Sequence, residues 1–146
     1  MVAIKDIPYL TLEEFRMNNE RTISILNNGK LESAKIIYCL NNPSRIELFL
    51  SDGNKFSSLG NNLFESFSNM RRSLKYIIFL CKGAKINVYP SRMSSQMSSG
   101  LMAYEVKMGR PALRENLVNI FDYEDERICI NPDDQKNYFE KWLMSI

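Results

Sequence analysis

The sequence predicts a single α+β domain over residues 1–146, a twisted antiparallel β-sheet flanked by α-helices. Three observations point to it. Short β-branched and aromatic runs bounded by turn residues fill the stretches Ser33 to Ser57 and Tyr76 to Tyr89. Between them, Leu63, Phe67, Met70 and Leu74 recur at helical spacing. The 146 residues suit one domain, and 45% hydrophobic with 25% charged residues is a globular composition.

In chain order, Leu10-Thr11-Leu12-Glu13-Glu14-Phe15 reads as a helix start. Thr11 can cap, Glu14 can reach back to the cap amide, and Leu10 can pack on Phe15. The helix is predicted to about Met17, with a second short helix ending near Asn27. Thr22-Ile23-Ser24-Ile25 alternates as a strand would, and Asn28-Gly29 suits either a helix C-cap or a hairpin turn. Ser33 to Leu40 and Arg45 to Leu50 are predicted strands, joined through Asn41-Asn42-Pro43-Ser44. Ile46, Leu48 and Leu50 share one face, with Glu47 on the other. Lys55-Phe56-Ser57 makes a third strand of an antiparallel meander.

After the helix at Leu63 to Leu74, Tyr76 to Cys81 reads as a short buried strand and Lys82-Gly83 as a turn. Lys85 to Tyr89 alternates, with Ile86 and Val88 together, until Pro90 ends it. Ser91 to Gly100 shows little periodicity and is expected to be an irregular loop. Ala103 to Met108 alternates again and groups Tyr104, Val106 and Met108; Gly109-Arg110-Pro111 breaks it. Asn116 to Phe121 suits a strand or a short helix. A last helix begins with Asn131 as cap, Pro132 in the first position, and Asp133 and Asp134 favouring its N-terminus. Tyr138, Trp142 and either Leu143 or Ser145 can share its apolar face, flanked by Phe139.

The composition narrows the chemistry. With no histidine in the chain, Ser-His, Cys-His and most metal-hydrolase mechanisms have no base or ligand. Cys39, Cys81 and Cys129 are odd in number, widely spaced and set in apolar runs, so they read as buried thiols. The serines from Ser91 to Ser99 lack a Ser-x-x-Lys spacing and read as a solvated loop. Cys81-Lys82-Gly83-Ala84-Lys85 has one glycine and is not a phosphate loop. Neither an enzyme nor a cofactor is expected. The apolar runs are too short to span a bilayer and the first residues lack a signal-peptide pattern, so the expected compartment is the cytoplasm.

Three surfaces could carry binding. Arg92, Met93, Gln96 and Met97 suit an adaptable anchor with a polar rim, or a loop folded back on the core. Asp122, Glu124, Asp125 and Glu126 suit a solvated loop or an acidic rim for a basic partner. They lack the alternation and turn glycine of a calcium loop. Arg71, Arg72 and Lys75 offset the dipole at the end of their helix. With Lys82 and Lys85 they also suggest an alternative function, a small nucleic-acid-associated regulatory module.

Leu80 to Asp125 carries a recognisable word order: Cys-x-Gly-Ala, then Val-Tyr-Pro-Ser-x-Met-Ser, then Ala-Tyr, then Leu-Val-x-Ile-Phe. In this it resembles immunity proteins of bacterial contact-dependent growth inhibition and related polymorphic toxin systems. The resemblance implies a small cytoplasmic antitoxin that binds the C-terminal toxin domain of its own system one-to-one. That domain is often a nuclease acting on transfer RNA. The antitoxin would occlude the active site or substrate groove, with no membrane and no direct nucleic-acid contact expected.

Overall fold

A computed structural model describes residues 19–146. The helix predicted from Leu10 to about Met17 lies outside the described residues. Strands β1 (Asn19–Asn27) and β2 (Lys30–Cys39) form an antiparallel hairpin, with Asn19 opposite Tyr38 and Asn27 opposite Lys30. This corrects the short helix expected before Asn27. Alternation prevails there because Ile23 and Ile25 enter the core while Thr22 faces out. Asn28 and Gly29, at φ 50° and 83°, make the two-residue turn that needs positive φ at both positions.

The meander continues through β3 (Ser44–Phe49) and β4 (Lys55–Gly60). Strand β5 (Ile77–Phe79) pairs on the other side of β1, so the five-stranded order is β4-β3-β2-β1-β5. Ile46, Leu48 and Leu50 are buried on one face as expected. Glu47 on the opposite face lies 3.8 Å from Arg45, and burial raises its carboxyl pKa above the ordinary value.

Helix α1 (Leu63–Ser73) follows, capped by Asn62, whose Oδ1 accepts the Glu65 amide at 2.9 Å. Its predicted stripe, Leu63, Phe67, Met70 and Leu74, is fully buried. Phe67 stands edge-on to Phe79 and Phe121, with centroids at 5.2 and 5.4 Å.

A second, three-stranded antiparallel sheet is formed by β6 (Val88–Tyr89), β7 (Met102–Glu105) and β8 (Leu117–Asn119). The strand expected over Lys85 to Tyr89 is therefore reduced to its last two residues, after a 3-10 turn at Lys82–Ala84. In β7 the buried residue is Ala103, one position off the predicted face. Val106 is buried beyond the strand end and Met108 is exposed. Helix α2 (Arg92–Ser98) lies between β6 and β7, and helix α3 (Pro132–Ser145) closes the chain.

The buried side of α3 is Pro132, Gln135 and Trp142. Phe139 stacks between Tyr89 and Trp142, at 4.9 and 5.3 Å. Leu143 is exposed and Tyr138 is half-buried beneath the Arg127 guanidinium. Trp142 is buried on the expected face with Phe139 beside it, but the centre of the buried side is Gln135 rather than Tyr138.

That glutamine belongs to a buried polar knot. Arg71, 3% exposed, donates to Gln135 Oε1 (2.6 Å), Gly83 O (3.2 Å) and Cys129 O (2.7 Å). Gln135 Nε2 in turn donates to the carbonyls of Gly83, Lys85 and Val88 at 2.9, 2.8 and 3.1 Å. Gly83 has no room for a side chain, since a Cβ there would lie 2.8 Å from Ile120 Cβ. Arg71→Ala would strand these acceptors in the core. It is expected to cost about 3–5 kcal/mol of unfolding free energy, read by urea denaturation. Arg71→Lys should recover less than half of it, because a single ammonium cannot reproduce the planar fork. Full stability in either variant would refute this role.

Candidate functional site

The segment from Ser91 to Gly100, expected as an irregular loop, is built around helix α2, and its serines hold it there. Ser91 Oγ accepts the Ser94 amide at 3.0 Å, and Ser94 Oγ donates to Ser91 O at 3.1 Å. Ser98 Oγ donates to Ser94 O at 2.6 Å and accepts the Met102 amide at 3.0 Å. At the far end Ser99 and Gly100 turn left-handed, at φ 55° and 84°. There the Leu63 amide at the start of α1 donates to Ser99 O at 2.7 Å. A Cβ on Gly100 would lie 2.7 Å from Asn62 Oδ1, so only glycine permits this approach.

Only Ser94 of α2 is buried, so the helix has no inward apolar stripe and periodicity could not reveal it. Its legible signals were the caps: Ser91 after Pro90 at one end, Ser99-Gly100 at the other. Met93 and Met97, one turn apart, are 67% and 78% exposed, and Arg92 and Gln96 are exposed beside them. Of the two readings of these methionines, the loop folded back on the core is the one that the exposures rule out.

The four candidate acids divide. Asp122 pairs with Arg21 at 3.0 Å. Glu124 is an internal anchor. Its Oε1 accepts Lys85 Nζ at 2.7 Å and Lys82 Nζ at 3.2 Å, while its Oε2 accepts the amides of Asp125 and Glu126 at 3.1 Å each. Glu105 completes the cluster with both lysines at 3.3 and 3.4 Å. The Glu124 amide is bonded to Leu80 O at 3.2 Å, and Tyr123 bridges to Cys81. Asp125 and Glu126 are left exposed on a fixed loop, next to Tyr123 at 59% exposure. The two predicted sets thus stand on different supports: α2 on α1 and β7, the acidic loop on the segment after β5.

Four of the five basic residues are buried or already paired. Arg71 is in the core, Lys82 and Lys85 are committed to Glu105 and Glu124, and Arg72 is held by Asp133 at 2.9 Å. Lys75 is exposed. Two of the thiols are poorly suited to nucleophilic chemistry: burial pushes Cys81 up to about 12 and also raises Cys129. Among the described residues, no group of three or more Cys, Asp or Glu side chains is placed to hold a metal ion. No helix among them is long and apolar enough to cross a membrane.

The Lys85 ammonium, helped by Lys82 and the Glu126 amide, holds the Glu124 carboxyl down at about 2, against an ordinary 4.5. A carboxylate with its folded value below its unfolded one stabilises the fold above the unfolded value. That contribution is lost as pH falls from about 5 toward 2. Glu124→Gln should therefore be less stable than the parent at neutral pH, with the gap closing across this acid window. Thermal melts of both chains at stepped pH measure it, and a pH-independent gap would contradict the anchor.

No protein-family model matches the chain, and no curated protein matches it.

Proposed function

We propose that this chain is a cytoplasmic immunity protein. It binds one-to-one the C-terminal toxin domain of its own contact-dependent growth-inhibition or related polymorphic toxin system, a nuclease acting on transfer RNA. It neutralises that domain by covering the active site or substrate groove, without chemistry of its own. Two features support the reading. The first is the residue order over Leu80 to Asp125. The second, which carries it, is that α2 inside this stretch is clamped at both ends and offers Met93 and Met97 almost wholly to solvent. Exposed, shape-adaptable methionines on a rigid support give a partner apolar contact area with little backbone left to order. Asp125 and Glu126 add negative charge that would meet the basic groove of a nuclease.

The decisive experiment mixes the purified chain with the toxin domain encoded beside it and follows complex formation and RNA cleavage together. A one-to-one complex that suppresses cleavage is expected; no complex would refute the proposal. Met93→Ala with Met97→Ala should weaken binding by about tenfold or more while the melting temperature stays unchanged. Reversing charge as Asp125→Lys with Glu126→Lys should slow association more than it speeds dissociation, and more so at low salt. Identical association rates would remove the acidic loop from the interface.

A further inference from the structure

A groove of about 420 Å³ runs between α1, α2 and α3, with the β6 end beneath it. Its apolar floor includes Phe64 and Tyr89, which meet edge to face at 5.2 Å. Tyr89 is also covered on one side by Phe139 at 4.9 Å, so both rings of the floor are already engaged with other aromatic rings. Recognition in this groove falls to its polar walls.

Those walls hold more donors than acceptors. Arg92 from α2 and Lys136 from α3 both line the groove, and neither has an ion-pair partner among the described residues. Arg72, also in the wall, is already neutralised by Asp133. Asn62 and Ser91 line it too, and each has committed its side-chain oxygen as an acceptor of a backbone amide, from Glu65 and Ser94. The Asn62 amino group and the Ser91 hydroxyl hydrogen are what remain for a ligand. Among the described residues, Glu65 is the one carboxylate of the lining.

We propose that this groove binds a small molecule through its phosphate or carboxylate oxygens, held by Arg92 and Lys136 with Asn62 and Ser91 donating. An oxyanion supplies the acceptors that the walls lack, and both uncommitted cations make charge-assisted bonds to it. The volume is that of a small-ligand site. Met93 and Met97 are not among the groove's lining residues, whereas Arg92 and Gln96 beside them are, so the groove adjoins the proposed toxin-binding surface and its ligand is tested on the chain without toxin.

Titration of the full chain with pyrophosphate, inorganic phosphate and citrate, followed by amide chemical shifts, tests it. Saturable shifts are expected at the Asn62 side chain, around Ser91 and Arg92, and at Lys136, at millimolar concentrations or below. Arg92→Ala with Lys136→Ala should weaken binding by about tenfold with an unchanged melting temperature. Glu65→Gln, which removes the repelling carboxylate, should tighten it. Saturation by the phosphates alone assigns a phosphate ester, and saturation by citrate alone assigns a carboxylate. No shifts at the groove, or equal binding by the double variant, would overturn the proposal.

Discussion

A guanidinium enclosed among neutral acceptors imposes a demanding constraint on a chain of this size. Arg71 must find its partners on carbonyls and an amide oxygen, and each comes from a different part of the sequence: Gly83 after β5, Cys129 before α3, and Gln135 within it. Leaving a buried cation unbonded is costly, so the helices and the segment between the two sheets are stable only when all three sources arrive together. Gln135 then spreads the same constraint over Lys85 and Val88. The apolar core packs α1 onto the first sheet and extends to the second through Val88 and Ala103, and this knot adds the polar ties that join β6 and α3 to α1.

The placement of both candidate surfaces descends from that arrangement. With Gly83 seated on Ile120, Lys82 and Lys85 flank the Glu124 carboxylate, and the acidic loop is held by its own middle residue. With β6 fixed beneath α3, the chain leaves Tyr89 at the floor of the groove and enters α2 along its wall. The end of α2 returns to the start of α1 through Ser99 and Gly100. The methionines and the groove therefore ride on one short helix whose two ends are both tied down, as preorganised recognition requires.

The sequence made the α+β class, the meander and α1 legible because each rests on local periodicity: alternation in Ile46, Leu48 and Leu50, helical spacing from Leu63 to Leu74. Strand β1 was misassigned where periods compete, since Ile23 and Leu26 fit a helical face while Ile23 and Ile25 fit a strand. Pairing with β2 and β5 decided it. Helix α2 and the centre of α3's buried side at Gln135 were not legible by pattern, because serine hydroxyls and a glutamine amide occupy positions where an apolar residue would have announced burial. Arg71 and Glu124 were placed in plausible surface roles, a dipole counter-charge and an acidic rim. The partners of Arg71 lie 12 to 64 residues away and the lysines that hold Glu124 lie 39 to 42 residues away, separations that no local reading spans.

The clamping of α2 has an evolutionary corollary. Everything that secures the helix is backbone, serine or glycine, so the outward side chains at Met93 and Met97 contribute nothing to its anchorage. Such positions can drift through many residue types at almost no thermodynamic penalty, because changes to unbonded surface groups rarely disturb a fold. A lineage could thus change what this helix presents to solvent, step by step, while the scaffold beneath it stays unchanged.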